Sequence, residues 1–271
     1  MNRLTKLLEI EKLTVKFKLS QRALFENVNW SIQRGEFWTL IGVNGCGKST
    51  LLKMAAGIDR KGLTEAQGEI LSQGAKVTEM DGFHRARQIA YLGGEGPIDF
   101  ELTVEEFVGL GRLAHGAIRV LSEKDRTKIA AAIEKVEIQN LSGRDLRSLS
   151  GGERQLAGLA RAFCTEAPLL ILDESMSRLD LAHQWEILGH LEDFVRGGGA
   201  VILVAHDWNL GLRNCTHLAW MFTDAPHFVS GKFEDVFSAQ NLRRSFPSTP
   251  LKTVGSEGER PLITFDARKI P

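Results

Sequence analysis

Gly42-Val43-Asn44-Gly45-Cys46-Gly47-Lys48-Ser49-Thr50 joins a short apolar run, Phe37-Trp38-Thr39-Leu40-Ile41, to a helical one, Leu51-Leu52-Lys53-Met54-Ala55-Ala56, that ends at Gly57. Its spacing, G-x-x-x-x-G-K-S, suits the binding of a chain of phosphates. Backbone N–H groups of such a loop wrap the anion, Lys48 reaches the outer phosphates and the Ser49 hydroxyl ligates Mg²⁺. Gly42, Asn44, Gly45, Cys46, Gly47, Lys48, Ser49 and Thr50 are therefore candidate ligands of a nucleoside triphosphate. The strand before and the helix after make an accidental glycine-rich turn a poorer reading. Cys46 lies beside the positive end of that helix, which favours a thiolate, so the residues alone predict a reactive thiol covered by bound nucleotide.

Two further clusters carry chemistry. Leu169-Leu170-Ile171-Leu172-Asp173-Glu174 places two carboxylates at the carboxyl end of a hydrophobic strand, where ligands sit in open α/β sheets. Asp173 could hold Mg²⁺ through water, and Glu174 could orient and polarise the water that attacks a γ-phosphate. By itself this could equally be a strand ending in an exposed acidic turn. Leu149-Ser150-Gly151-Gly152-Glu153-Arg154-Gln155 opens a helix with a capping box between Ser150 and Glu153, and it presents N–H groups and a positive dipole end.

The elements that must position these groups can be read from spacing. Alternation in Leu8-Glu9-Ile10, Leu13-Thr14-Val15-Lys16-Phe17 and Val28-Asn29-Trp30-Ser31-Ile32 predicts strands across about 7–41. One more strand pair is expected between Gly57 and Gly82, and another strand at Ile89-Ala90-Tyr91-Leu92. From Thr103 to Leu141 the spacing becomes helical, which suggests an inserted segment. A buried strand at Pro168–Asp173, a helix from about Asp180 and a strand at Ala200–Ala205 follow. Strands alternating with helices imply a parallel sheet covered on both faces. Beyond Phe246 there is no periodicity, and a poorly packed extension is expected.

Of the 271 residues, 43% are hydrophobic, enough for a sizeable core. Lys+Arg and Asp+Glu both number 34, and this balance argues against a general nucleic-acid surface. Cys46, Cys164 and Cys215 are scattered and odd in number, as expected of reduced thiols in the cytoplasm. The chain shows neither a run long enough to cross a membrane nor a signal-peptide core, so a membrane role would come through a partner.

Taken together, the phosphate loop, the Ser150-Gly151-Gly152-Glu153-Arg154-Gln155 segment and Asp173-Glu174 closely resemble, in order and type, the motifs of ATP-binding cassette (ABC) ATPases over roughly residues 7–245. The resemblance implies an α/β fold: a phosphate-loop, RecA-like core with a mostly parallel sheet, an N-terminal antiparallel β subdomain and an inserted α-helical subdomain. It implies an ATPase domain over 1–245, with the helical subdomain at about 95–151, and a separate extension over 246–271. It also implies ATP with Mg²⁺, and a head-to-tail homodimer in the ATP-bound state. There Ser150, Gly151 and Gly152 would contact the γ-phosphate held by the opposite subunit. Phe17 stands where the family stacks an aromatic ring on adenine. Ser175-Met176-Ser177-Arg178-Leu179-Asp180 resembles the loop that meets the partner's phosphate loop, with Arg178 where a small residue is usual. His206 resembles the switch histidine at the γ-phosphate. A departure falls at Gly94, where the family has a glutamine that touches the metal and relays nucleotide state; Glu95 is the nearest side chain that could supply an oxygen.

Leu102-Thr103-Val104-Glu105-Glu106-Phe107-Val108-Gly109-Leu110-Gly111-Arg112, Leu179-Asp180-Leu181-Ala182-His183-Gln184 and Gly231-Lys232-Phe233-Glu234-Asp235-Val236-Phe237 resemble the importers of iron-siderophores, haem and cobalamin. That likeness implies a cytoplasmic ATPase, peripheral on the inner face of the cell membrane. It would dock on an integral-membrane permease fed by a substrate-binding protein. The alternative is a soluble cassette ATPase that regulates or assembles another macromolecule. A phosphate-loop kinase or GTPase leaves Leu149–Gln155 unexplained, and the guanine motif Asn-Lys-x-Asp does not occur.

Overall fold

The computed structural model describes residues 6–58, 64–93, 101–117, 121–173, 176, 179–204, 207–225, 227–249, 251–254 and 260–265. In chain order, β1 (Lys6–Phe17), β2 (Ala23–Gln33) and β3 (Phe37–Gly42) lead into α1 (Lys48–Ala55), followed by β4 (Thr64–Ser72), β5 (Ala75–Lys76), α2 (Gly82–Gln88) and β6 (Ile89–Leu92). Then come α3 (Val104–Gly109), α4 (Glu123–Lys135), α5 (Gly151–Cys164), β7 (Leu169–Asp173), α6 (Leu181–Arg196), β8 (Ala200–Val204) and α7 (Trp208–Asn214). The chain closes with β9 (His217–Met221), β10 (Phe228–Lys232), α8 (Phe233–Val236), α9 (Ala239–Ser245), β11 (Leu251–Val254) and β12 (Leu262–Phe265).

Among the described residues, the larger sheet runs β10-β9-β3-β8-β7-β6. Its strands are parallel except for β10, which pairs antiparallel with β9 at the edge. Every residue of β3, β7 and β8 is buried, because a parallel strand covered on both faces has no solvent side. Successive residues of β7 serve opposite cores. Leu170 and Leu172 join Val104, Leu203 and Trp220 on the helical face, while Leu169 and Ile171 join Ile10, Leu51 and Ile202 on the other. Each fully buried Leu or Ile stabilises by about 1.5–3 kcal/mol, so this double-sided burial fixes where the strand's carboxyl end emerges.

The second sheet, β2-β1-β4-β5, is antiparallel and caps the face that carries α1. On the opposite side α3, α4 and α5 pack together, each started by a reciprocal capping box: Thr103 with Glu106, Ser122 with Asp125, and Ser150 with Glu153. Arg112, 3% exposed, ties this helical part together. Its Nε donates to Asp125 at 2.9 Å, and its Nη1 donates to both Glu166 and the Cys164 carbonyl at 2.9 Å.

The expectation of a poorly packed tail does not hold for 251–254 and 260–265. β11 and β12 form an antiparallel pair, and Leu251 and Ile263 rest on the core. Asn209 anchors the pair where no periodic apolar face does: its side chain donates to the Ile263 carbonyl (3.0 Å) and accepts from the Ile263 N–H (2.7 Å), as a neighbouring strand would. Arg260 donates to the Cys215 carbonyl at 2.8 Å and lies over the Phe233 ring, so both ends of α7 are held by the extension.

Candidate functional site

The phosphate-binding candidates sit where β3 gives way to α1, at the carboxyl edge of the parallel sheet. Glycine is required at two points. A Cβ on Gly42 would lie 2.6 Å from the Met221 carbonyl oxygen, so β9 passes too close for any side chain. Gly47 adopts φ +105 just before α1, a conformation that costs an L-residue free energy, and a Cβ there would press on Phe25. Gly47 offers no side chain to cap α1, whereas α2 to α7 are each capped by a Ser, Thr or Asp. The first N–H groups of α1, at the positive end of its dipole, are left to bind an anion. Lys48, 9% exposed, bends back so that its ammonium donates to the carbonyls of Gly42 (2.8 Å) and Val43 (3.2 Å), which holds the cation over the loop.

Cys46 corrects the expectation of a reactive thiol. It is 2% exposed within the core beneath the loop, and burial pushes its thiol up against the downward pull of Lys48. The sequence placed this residue beside a helix terminus but could not say that its side chain points inward.

The other half of the site comes from β7. Asp173, 4% exposed, accepts from the Ser49 hydroxyl on Oδ1 (3.1 Å) and from the Tyr91 hydroxyl on Oδ2 (2.8 Å). Sequence reasoning assigned Tyr91 only to a strand; its position beside β7, visible only in the parallel pairing, is what makes it part of the site. Ser49 and Asp173 fit Mg²⁺, a hard cation that prefers oxygen, keeps several waters and needs only one or two protein ligands beside phosphate oxygens.

The remaining candidates have separate local roles. Ser150 starts α5: its N–H donates to Glu153 at 2.7 Å and its Oγ accepts from the Glu153 N–H at 3.2 Å, while Gly151 and Gly152 follow half-buried. Asp180 caps α6 from an exposed position, accepting from the His183 N–H at 2.9 Å, which holds its carboxyl below the ordinary value. Phe17, 38% exposed, ends β1 at a tight turn closed by Phe17 and Arg22. Glu174, His206, Gly94, Glu95, Ser175, Ser177 and Arg178 lie outside the described residues.

A cleft of about 600 Å³ opens between α2, the edge of β6 and the turn that follows α3. Ile58, Phe83, Tyr91, Leu110, Leu113 and Arg161 line it, and Ile58, Phe83 and Leu110 are exposed apolar side chains.

An uncapped glycine loop on a parallel sheet, with a lysine over it and an aspartate–serine pair beside it, defines a phosphate-loop nucleoside triphosphatase. The chain belongs to the ABC transporter family, whose profile matches residues 25–177, and it is an ATP-hydrolysing subunit of that family. It is 34% identical over 262 residues to the hemin import ATP-binding protein HmuV of Pseudomonas aeruginosa, covering 95% of this chain and 99% of that one. A metal-chelate type ABC transporter in an inward-facing conformation has a chain with TM-score 0.78 and 25% identity, covering 97% of this chain and 99% of that one. A dimeric ATP-binding cassette bound to ADP and Pi shares the fold, with TM-score 0.72 and 23% identity over 83% of this chain and 98% of that one. Among the described residues no helix is long and apolar enough to cross a membrane.

Proposed function

We propose that this chain powers an importer for a metal chelate of the haem, iron-siderophore or cobalamin type. The observation that carries this reading is the likeness to a hemin import subunit along nearly the whole of both chains. The apolar cleft beside β6 supports a permease partner, because exposed Ile58, Phe83 and Leu110 would be buried by a segment seated there. The chain would thus work at the cytoplasmic face of the membrane, on a permease fed by a substrate-binding protein.

In this reading the α1 N–H groups and Lys48 bind the phosphates of ATP, and Ser49 with Asp173 hold Mg²⁺. When bound, the metal would supply charge neutralisation to the phosphates in the transition state. Glu174 orients the attacking water, with Glu95 a further oxygen toward the cation and His206 a contact to the γ-phosphate. Phe17, exposed at the end of β1, stacks on the adenine. Ser150, Gly151 and Gly152 donate to the nucleotide of the opposite subunit in an ATP-bound homodimer, which Asp180 helps to close. Glu174→Gln tests the scheme: it should keep ATP affinity and lose turnover, because water positioning contributes to the transition state and little to ground-state binding. Size-exclusion chromatography with ATP and Mg²⁺ should show a dimer, and co-expression with a permease from the same gene cluster should give a joint complex. A monomer at all ATP concentrations argues against the sandwich; a dimer that binds no permease favours the non-transport reading.

A further inference from the structure

β6 is the edge strand of the parallel sheet, and its register pairs Tyr91 with Ile171. Paired residues share a face, and so do residues two apart, so Asp173 stands on the face of Tyr91, one step further along β7. The phenol leans along the strand to reach it, and its hydroxyl donates to Asp173 Oδ2 at 2.8 Å. Space for that ring comes from Gly93: a Cβ there would lie 2.6 Å from Tyr91 Cε1 and 2.8 Å from its hydroxyl oxygen. Tyr91 also lines the cleft beside α2. A half-buried ring therefore has the cleft on one side and the expected cation carboxylate on the other, at the start of the segment where Gly94 has no side chain for a relay.

We propose that Tyr91 is a positioning residue that holds Asp173 in place for the divalent cation and couples that carboxylate to the state of the cleft. With Oδ2 held by Tyr91, Oδ1 stays turned toward Ser49, so the two oxygens expected at the cation share one side of the carboxylate. A segment entering the cleft would press on the ring and alter that hold. The use of this link to sense a permease rests on the proposed transport role; the hold on Asp173 does not.

The sequence contains one tyrosine, so ζ-¹³C-tyrosine labelling of the full chain gives a single resonance that reports on this contact. In the ADP complex, addition of Mg²⁺ should shift the resonance, and Asp173→Asn should abolish the shift. Mn²⁺ affinity of the ADP complex, read by electron paramagnetic resonance, should weaken about tenfold in Tyr91→Phe. Gly93→Ala keeps the hydroxyl but displaces the ring, and should weaken Mn²⁺ in the same direction. Both variants should bind ADP without metal as the parent does and melt as cooperatively. A merely structural ring predicts the opposite: unchanged Mn²⁺ affinity in Tyr91→Phe or an unmoved resonance would overturn the hold on Asp173. For the cleft, Phe83→Cys carrying a bulky maleimide should move the resonance and change Mn²⁺ affinity, and the affinity change should vanish in the Tyr91→Phe background. A label that moves neither overturns the coupling. None of these readouts uses a permease, so failure of the transport reading would show separately, as absence of a joint complex.

Discussion

The Ser49 hydroxyl donates to Asp173 Oδ1 at 3.1 Å, although 124 residues of chain separate the two. One stands in the first turn of α1 and the other at the last position of β7, and three strands hydrogen-bonded in the order β3-β8-β7 set the distance between them. The contact makes the phosphate loop and the acidic strand end a single site. Asp173 is buried, so losing both donors would leave a carboxylate unsatisfied at a cost of about 1–3 kcal/mol or more.

Lys48→Ala should weaken nucleotide binding itself. The lost charge-assisted contact is worth about 1.5–3 kcal/mol, which corresponds to an affinity loss on the order of ten- to a hundredfold. Titration with a fluorescent ATP analogue measures it, and an affinity equal to the parent's would contradict the placement of the phosphates.

Cys46, Cys164 and Cys215 should all resist maleimide in the native protein, since all three are buried. Burial pushes Cys164 and Cys215 up to about 11, and it raises Cys46 as well. Peptide mapping should show comparable slow labelling of the three, with or without ATP, and fast labelling only in denaturant. Selective modification of Cys46 in the native state would contradict the inward orientation of its side chain.

Acid should weaken the helical part through Asp125. The Ser122 hydroxyl and then the Arg112 guanidinium hold this carboxyl down from 3.8 to about 2. A folded value below the unfolded one means that the stability is fully present above pH 3.8 and is lost as pH falls toward 2. Asp125→Asn should flatten the pH dependence of the melting temperature in that window. Arg112→Ala should lower the melting temperature at neutral pH, because the buried guanidinium joins Asp125, Glu166 and the Cys164 carbonyl. A melt unaffected by either change would mean that the network carries no stability.

Asn209→Ala should loosen the extension from α7. Two hydrogen bonds to Ile263 disappear, at about 0.5–1.5 kcal/mol each. Hydrogen exchange at the Ile263 amide should quicken, and the melting temperature should fall by roughly 2–4 °C per kcal/mol lost. Unchanged protection of that amide would mean that β11 and β12 are held by other contacts.

Much of this protein was written in local sequence. The phosphate loop follows from fixed spacing, because Gly42, Gly47, Lys48 and Ser49 act through backbone conformation and neighbouring atoms. The buried runs of β3, β7 and β8 follow from continuous apolar stretches, and the three capping boxes from Thr103, Ser122 and Ser150 with an acidic residue three positions on. Antiparallel β1 and β2 announced themselves by alternation, whereas β4, mostly exposed, was expected only as part of a strand pair between Gly57 and Gly82. Tertiary structure alone decided the rest, since those features depend on neighbours far away in the chain. Tyr91 reaches Asp173 only because β6 lies parallel beside β7. Cys46 is buried because its side chain turns into the core, a fact no helix-terminus argument contains. The described parts of the extension, 251–254 and 260–265, pack through scattered contacts, with Leu251 and Ile263 on the core and hydrogen bonds involving Asn209 and Arg260, rather than through a periodic apolar face, so they left no pattern for sequence to show. Local spacing determines what one segment can do; which segments meet is set by burial summed over the whole chain.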